Sequence, residues 1–160
     1  MRLNKDDKKL LKFFQERGKK LTIKEIIEGT GLSWRSVIVK LSIFKKVGII
    51  EGGKKHVGVY RLNDKFLKNT INEVENFAPT KEEIKSVLSV SSVDNIVDAI
   101  LKKVSENGTM TIEEIKQNFP DTHIWKIQYS LYVLHMLDLI SRTQRGVYEI
   151  TENGRKYLLP

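Results

Sequence analysis

Apolar positions along the chain recur mostly at spacings of three and four, the signature of helices that bury one face. Leu10, Leu11, Phe13 and Phe14 give a first helix its apolar face; Asp6 or Asp7 is expected to cap it, and Arg17 and Gly18-Lys19-Lys20 to end it. Ile23, Ile26 and Ile27 form one stripe of a short second helix, which Gly31 closes by tolerating positive φ. Ser33 can cap the next helix through its side-chain oxygen. Val37, Leu41 and Phe44 then mark the buried face of a longer helix, which Gly48 closes. Two β-rich runs, around Ile49-Ile50 and from Val57 to Leu62, flank Gly52-Gly53-Lys54-Lys55-His56 and predict a hairpin with a basic tip.

After Leu62, Asn63 or Asp64 is placed to cap a helix carrying Phe66, Leu67, Ile71 and Val74, which stops before Pro79. Thr80 and Glu83 have the spacing of a capping box opening a further short helix with Ile84, Val87 and Leu88 on one face. Ser89-Val90-Ser91-Ser92 breaks that pattern. From Val93 the chain repeats itself. Ile96, Ile100 and Val104 mark a helix ending at Asn107-Gly108, and Met110-Thr111-Ile112-Glu113-Glu114-Ile115 matches Leu21-Thr22-Ile23-Lys24-Glu25-Ile26. Ile127, Leu131 and Leu134 match Val37, Leu41 and Phe44, and Gly146 to Ile150 matches Gly58 to Leu62. The offset between the copies drifts slightly, with the length differences falling in turns, as expected of two copies of one supersecondary unit.

Charge sharpens the division. The formal net charge is +8, yet residues 1–68 hold 18 Lys/Arg against 7 Asp/Glu, residues 69–92 hold 2 against 4, and residues 93–160 hold 8 against 9. An excess confined to one module is the electrostatic footprint of a nucleic-acid contact, and asymmetry of this kind is not what solubility alone requires. The chain has no cysteine, which excludes disulfides, thiolate metal sites and a cysteine nucleophile. No apolar run is long enough to span a membrane and no signal peptide opens the sequence, so a soluble cytoplasmic protein is expected.

The stretch from Leu21 to Leu62 resembles the winged helix-turn-helix transcription regulators, a likeness carried by Thr30-Gly31-Leu32-Ser33, by Val37, Leu41 and Phe44, and by the Gly48-Ile49-Ile50 exit into the hairpin. The resemblance covers about Asp6 to Asn69, and with the repeat it implies a mostly α fold with small antiparallel β wings. Tandem winged helix-turn-helix modules at 1–68 and 93–160 are then joined by a helical connector at 69–92. It also implies double-stranded DNA as partner, with the second helix of the motif in the major groove. Alternatives are a plasmid- or virus-type replication initiator and a protein-interaction scaffold in a transcription or chromosome assembly.

On that reading Ser33, Trp34, Arg35 and Ser36 meet the groove, Arg35 offering a guanidinium that can grip guanine bidentately. Lys40, Lys45 and Lys46 suit phosphates, as do Lys54, Lys55 and His56 at the glycine-hinged tip. Trp34 lies either against sugar or a thymine methyl, or packed under the wing. Ile38, Val39 and Ile43 fall on sides usually kept polar, and either meet thymine methyls or pack against the connector or a second subunit. The second module offers His123, Trp125, Lys126, Gln128, Tyr129, Tyr132 and His135, a mixture suited to a protein interface or to covering the connector; Arg142 and Arg145 add charge to its wing. The surplus of aromatic and apolar positions, Phe66, Ile71 and Phe77 among them, motivates a homodimer through the connector and the second module. No His-Glu-x-x-His, phosphate loop or triad pattern occurs, so neither an enzyme, a cofactor, a metal nor a small-molecule substrate is expected.

Overall fold

The computed structural model describes residues 1–54, 57–68, 71–88, 94–144 and 146–160. Among them the chain is mostly helical, with two small antiparallel sheets of three strands each. It divides into two compact units, Leu3–Glu83 with Met1 and Ile84–Pro160 with Arg2.

Unit 1 runs α1 (Lys5–Arg17), β1 (Leu21–Thr22), α2 (Ile23–Thr30), α3 (Trp34–Lys46), β2 (Ile50–Lys54), β3 (Val57–Leu62), α4 (Asp64–Leu67) and α5 (Ile71–Glu75). The first helix starts earlier than either aspartate predicts. Asn4 is its cap, accepting the Asp7 N–H at 2.9 Å, while the Asp7 carboxylate accepts the Asn4 N–H at 2.9 Å. Capping one turn early turns Asp7 inward, where it is fully buried. The helix expected from Asn63 to Val74 forms instead as two short pieces, α4 capped by Asn63 and α5 carrying the buried Val74. The boundary between the units falls inside the next helix, α6 (Lys81–Leu88), whose start carries the expected Thr80–Glu83 capping box. Residues 69–92 are thus divided between the two units.

Unit 2 continues in the order of unit 1: α7 (Asp94–Asn107), β4 (Thr109–Thr111), α8 (Ile112–Asn118), α9 (Ile124–Met136), β5 (Ile140–Gln144), β6 (Val147–Ile150) and α10 (Glu152–Leu158). The duplication extends to hydrogen-bond register. Leu21 faces Tyr60 in one sheet and Met110 faces Tyr148 in the other. The strand orders are β1-β3-β2 and β4-β6-β5, and a register shift follows Gly52 in β2 and Arg142 in β5. Thr22 with Glu25, and Thr111 with Glu114, make the same capping box at the start of α2 and α8.

The ends of α3 and α9 are also alike. Ile49 N–H donates to Phe44 O and Leu139 N–H to Leu134 O, across a residue with positive φ that is Gly48 in one unit and Asp138 in the other. The left-handed conformation costs a residue with a Cβ about 1–2 kcal/mol. Asp is among the few that adopt it, and the Asp138 side chain accepts from Asn153 Nδ2 at 2.8 Å.

Candidate nucleic-acid interface

α3 starts where Ser33 Oγ accepts the Ser36 N–H at 3.2 Å, and its N-terminal turn projects outward. Trp34 is 56% exposed and Arg35 is exposed beside it, while Ser36 is half-buried. Arg35, Val39, Ser42 and Lys46 follow one another at helical spacing along the outer side, Arg35 and Ser42 exposed and Val39 and Lys46 half-buried, with Ile38 half-buried beside them and Lys45 exposed near the end.

One sequence assignment on α3 is overturned. Lys40 does not face solvent. Its ammonium donates to Asp7 Oδ1 at 2.5 Å, with the two side chains 5% and 0% exposed, so this charge is consumed inside unit 1 and is not presented to phosphate. Ile43 is buried as well, together with Val37, Leu41, Phe44 and Val47. The reason is the same for both: α3 is the central helix of its unit, bounded by α2, by β2 and, through Lys40, by α1, so its buried arc is wider than the Val37-Leu41-Phe44 stripe.

The hairpin beyond α3 is braced at its base. Gly52 and Gly53 have φ of +100° and +62°, and a Cβ on either would sit 2.1 Å from Val59 O or 2.2 Å from the Tyr60 ring. These glycines are close-packed elements of a bulge, not a hinge. Tyr60 is buried beneath them, and burial pushes its phenol pKa up. Lys45 Nζ donates to Gly53 O at 2.5 Å. Lys54 ends β2, while Lys55 and His56 lie outside the described residues.

Ion pairs in unit 1 form both within helices and between elements. Glu16 lies within ion-pair distance of Lys12, Glu25 of Lys19, Glu28 of Lys24, and Glu51 of Arg61. The last is the most organised: Arg61 donates twice to Glu51 Oε2, at 3.0 and 2.8 Å, and Asn63 Nδ2 donates to Oε1 at 2.9 Å. Asp7 serves Lys40. The α3 sequence itself holds no Asp or Glu, so its cations Arg35, Lys45 and Lys46 share their helix with no carboxylate.

No protein-family model matches the chain. Among the described residues no helix is long and apolar enough to cross a membrane, and no three His, Asp or Glu side chains are grouped to hold a metal ion.

In unit 2 the corresponding turn carries His123, Ile124, Trp125 and Lys126. His123 caps α9, its Nδ1 accepting the Trp125 N–H at 3.3 Å. Trp125 is 39% exposed, with the Lys126 ammonium 5.9 Å from its ring centroid. Gln128 is exposed, Tyr129, Tyr132 and His135 are half-buried, and Arg142 lies 5.9 Å over the Tyr148 ring. Arg145 lies outside the described residues.

The aromatic surplus is partly used within unit 1, where Phe66 is buried and meets Phe77 edge-on at 5.4 Å. Sequence reasoning missed the inward turn of Asp7, the Lys45–Gly53 bond and the Glu51–Arg61–Asn63 set. Only the last left a local signal, opposite charges on the two strands of a predicted hairpin.

Proposed function

We propose that the chain is a double-stranded DNA-binding regulator made of two winged helices in tandem, with unit 1 making the main contact through α3 and the β2–β3 hairpin. The winged-helix reading draws support from the helix-turn-helix order, the strand order and the register shared by the two units.

One observation carries the DNA reading: α3 has no carboxylate while Arg35 and Lys46 lie along its solvent side, and acidic groups of α1 and α2 sit next to lysines elsewhere. A duplex presents one phosphate charge per ~1.7 Å of axis, and a helix fits its major groove, so a helix with cations and no carboxylates suits that partner. Arg35, in the first turn, is the base reader. Lys46 and Lys54 to His56 position the protein on phosphates.

A gel-shift titration of the whole chain on mixed genomic fragments tests this. Retardation of all fragments at low salt, with a subset persisting at moderate salt, is the expected result. No retardation at low salt would overturn it. A second reading, a winged-helix scaffold that binds protein, draws on the exposed Trp34 and Trp125 at matching turns of the two units. Association that survives high salt favours that reading.

A further inference from the structure

On the reading that α3 and the hairpin form one DNA-contacting surface, we infer that Lys45 is a positioning residue that ties the hairpin to the helix, and not a phosphate ligand. The β2–β3 register pairs Gly52 with Tyr60 and Lys54 with Val57, which leaves Gly53 with no cross-strand partner. The Gly53 carbonyl, on the exposed side of the hairpin, has a side-chain donor. Lys45 supplies it from the last turn of α3. A Cβ on Gly53 would also lie 2.2 Å from atoms of the Tyr60 ring. Gly53 thus meets both an ammonium on the helix and an aromatic ring on β3. It is also the residue from which the chain passes into Lys54 and the basic tip.

Unit 2 also carries a polar side chain at the corresponding position. Lys45 aligns with His135 at the offset that relates Leu41 to Leu131, and His135 Nδ1 lies 3.3 Å from the carbonyl of Ile140 in β5. A side chain from the end of the long helix reaches a carbonyl of the next strand in both units. The carbonyls differ: Ile140 opens β5, whereas Gly53 lies in the β2 bulge, so the two copies share a polar side chain directed to the next strand and not the same bond. This is the arrangement expected if helix and hairpin must meet a ligand in a fixed relative pose.

The test uses the full chain with Lys45→Met, which keeps the alkyl stem and loses the donor, and Lys45→Arg, which keeps a donor. Without DNA, amide hydrogen exchange at Gly52 to Lys54 should accelerate several-fold in Lys45→Met and return towards wild type in Lys45→Arg, with α1 and unit 2 unchanged. With DNA, Lys45→Met should weaken binding in the wild-type background. It should add little when Lys54 and Lys55 are already alanine, because it acts through them. A phosphate ligand would behave otherwise, removing roughly 0.9 from the log-log salt slope in both backgrounds. Unchanged exchange, or additive losses in the two backgrounds, would overturn the inference. If the wild-type chain binds no DNA, the DNA reading falls by itself and the exchange measurement still judges the brace.

Discussion

The carboxylate of Asp7 on α1 and the ammonium of Lys40 on α3 meet inside unit 1, 33 residues apart in sequence, with both Asp7 oxygens occupied: one by Lys40 and the other by the Asn4 N–H. Carrying the repeat offset of Leu11 to Leu101 and Leu41 to Leu131 across the two positions gives Val97 and Ser130 in unit 2, both buried. The same fold is thus built once with a buried ion pair and once without it. Removing one partner of such a pair leaves an uncompensated charge and costs about 3–5 kcal/mol, whereas replacing both by apolar groups is commonly neutral or stabilising. Lys40→Met should therefore lower unit 1 stability by about that amount in urea denaturation, and Asp7→Val with Lys40→Met should recover most of it.

Gly53 and Gly48 both have positive φ, but their surroundings differ. Gly53→Ala places a Cβ into the Tyr60 ring, whereas nothing lies within 4 Å of a Cβ at Gly48. Gly48→Asn should cost no more than about 1 kcal/mol, the matching residue being Asp138, while Gly53→Ala should cost more and broaden or shift the hairpin resonances. Thermal melts followed by amide spectra of the two variants check the order.

The paired capping boxes give a pH signature. The Glu25 and Glu114 carboxyls are held below their ordinary 4.5, first by the backbone N–H of Thr22 and of Thr111 and then by the threonine hydroxyls. A depressed folded-state pKa means that the stabilisation is fully present above the unfolded value and is lost as pH falls through the folded one. Carboxyl carbon titrations should show both midpoints below 4.5, and Thr22→Val should raise the Glu25 midpoint while leaving Glu114 where it was.

The features legible in the sequence are local or repeated. The Thr30 to Ser33 turn, the Ser33 cap and the Thr80–Glu83 box depend on neighbours within a few residues, and the match between the two copies aligns Tyr60 with Tyr148 without any knowledge of register. The features that escape it depend on distant partners. A helical wheel places Lys40 at the edge of the Val37-Leu41-Phe44 stripe, where a lysine reads as solvated, and only Asp7 arriving from α1 decides otherwise. Ile43 escapes because the width of a buried arc depends on how many elements surround the helix. The glycines of the hairpin read as hinges until Tyr60 and Val59 are seen against them.

The central claim is that charge on the solvent side of α3, not the net charge of unit 1, binds duplex DNA. Fluorescence anisotropy across a salt series, on a preferred and a random duplex, measures it with two charge reversals of equal size. One is Arg35→Glu with Lys46→Glu on α3; the other is Lys12→Glu with Lys24→Glu on α1 and α2. The account predicts that the α3 pair weakens binding at least tenfold, flattens the salt slope by roughly 0.9 for each phosphate no longer neutralised, and erases the preference for the specific duplex. The α1 and α2 pair should keep that preference and nearly all of the slope. Equal losses from the two pairs, or a preference for the specific duplex that survives the α3 reversal, would contradict it.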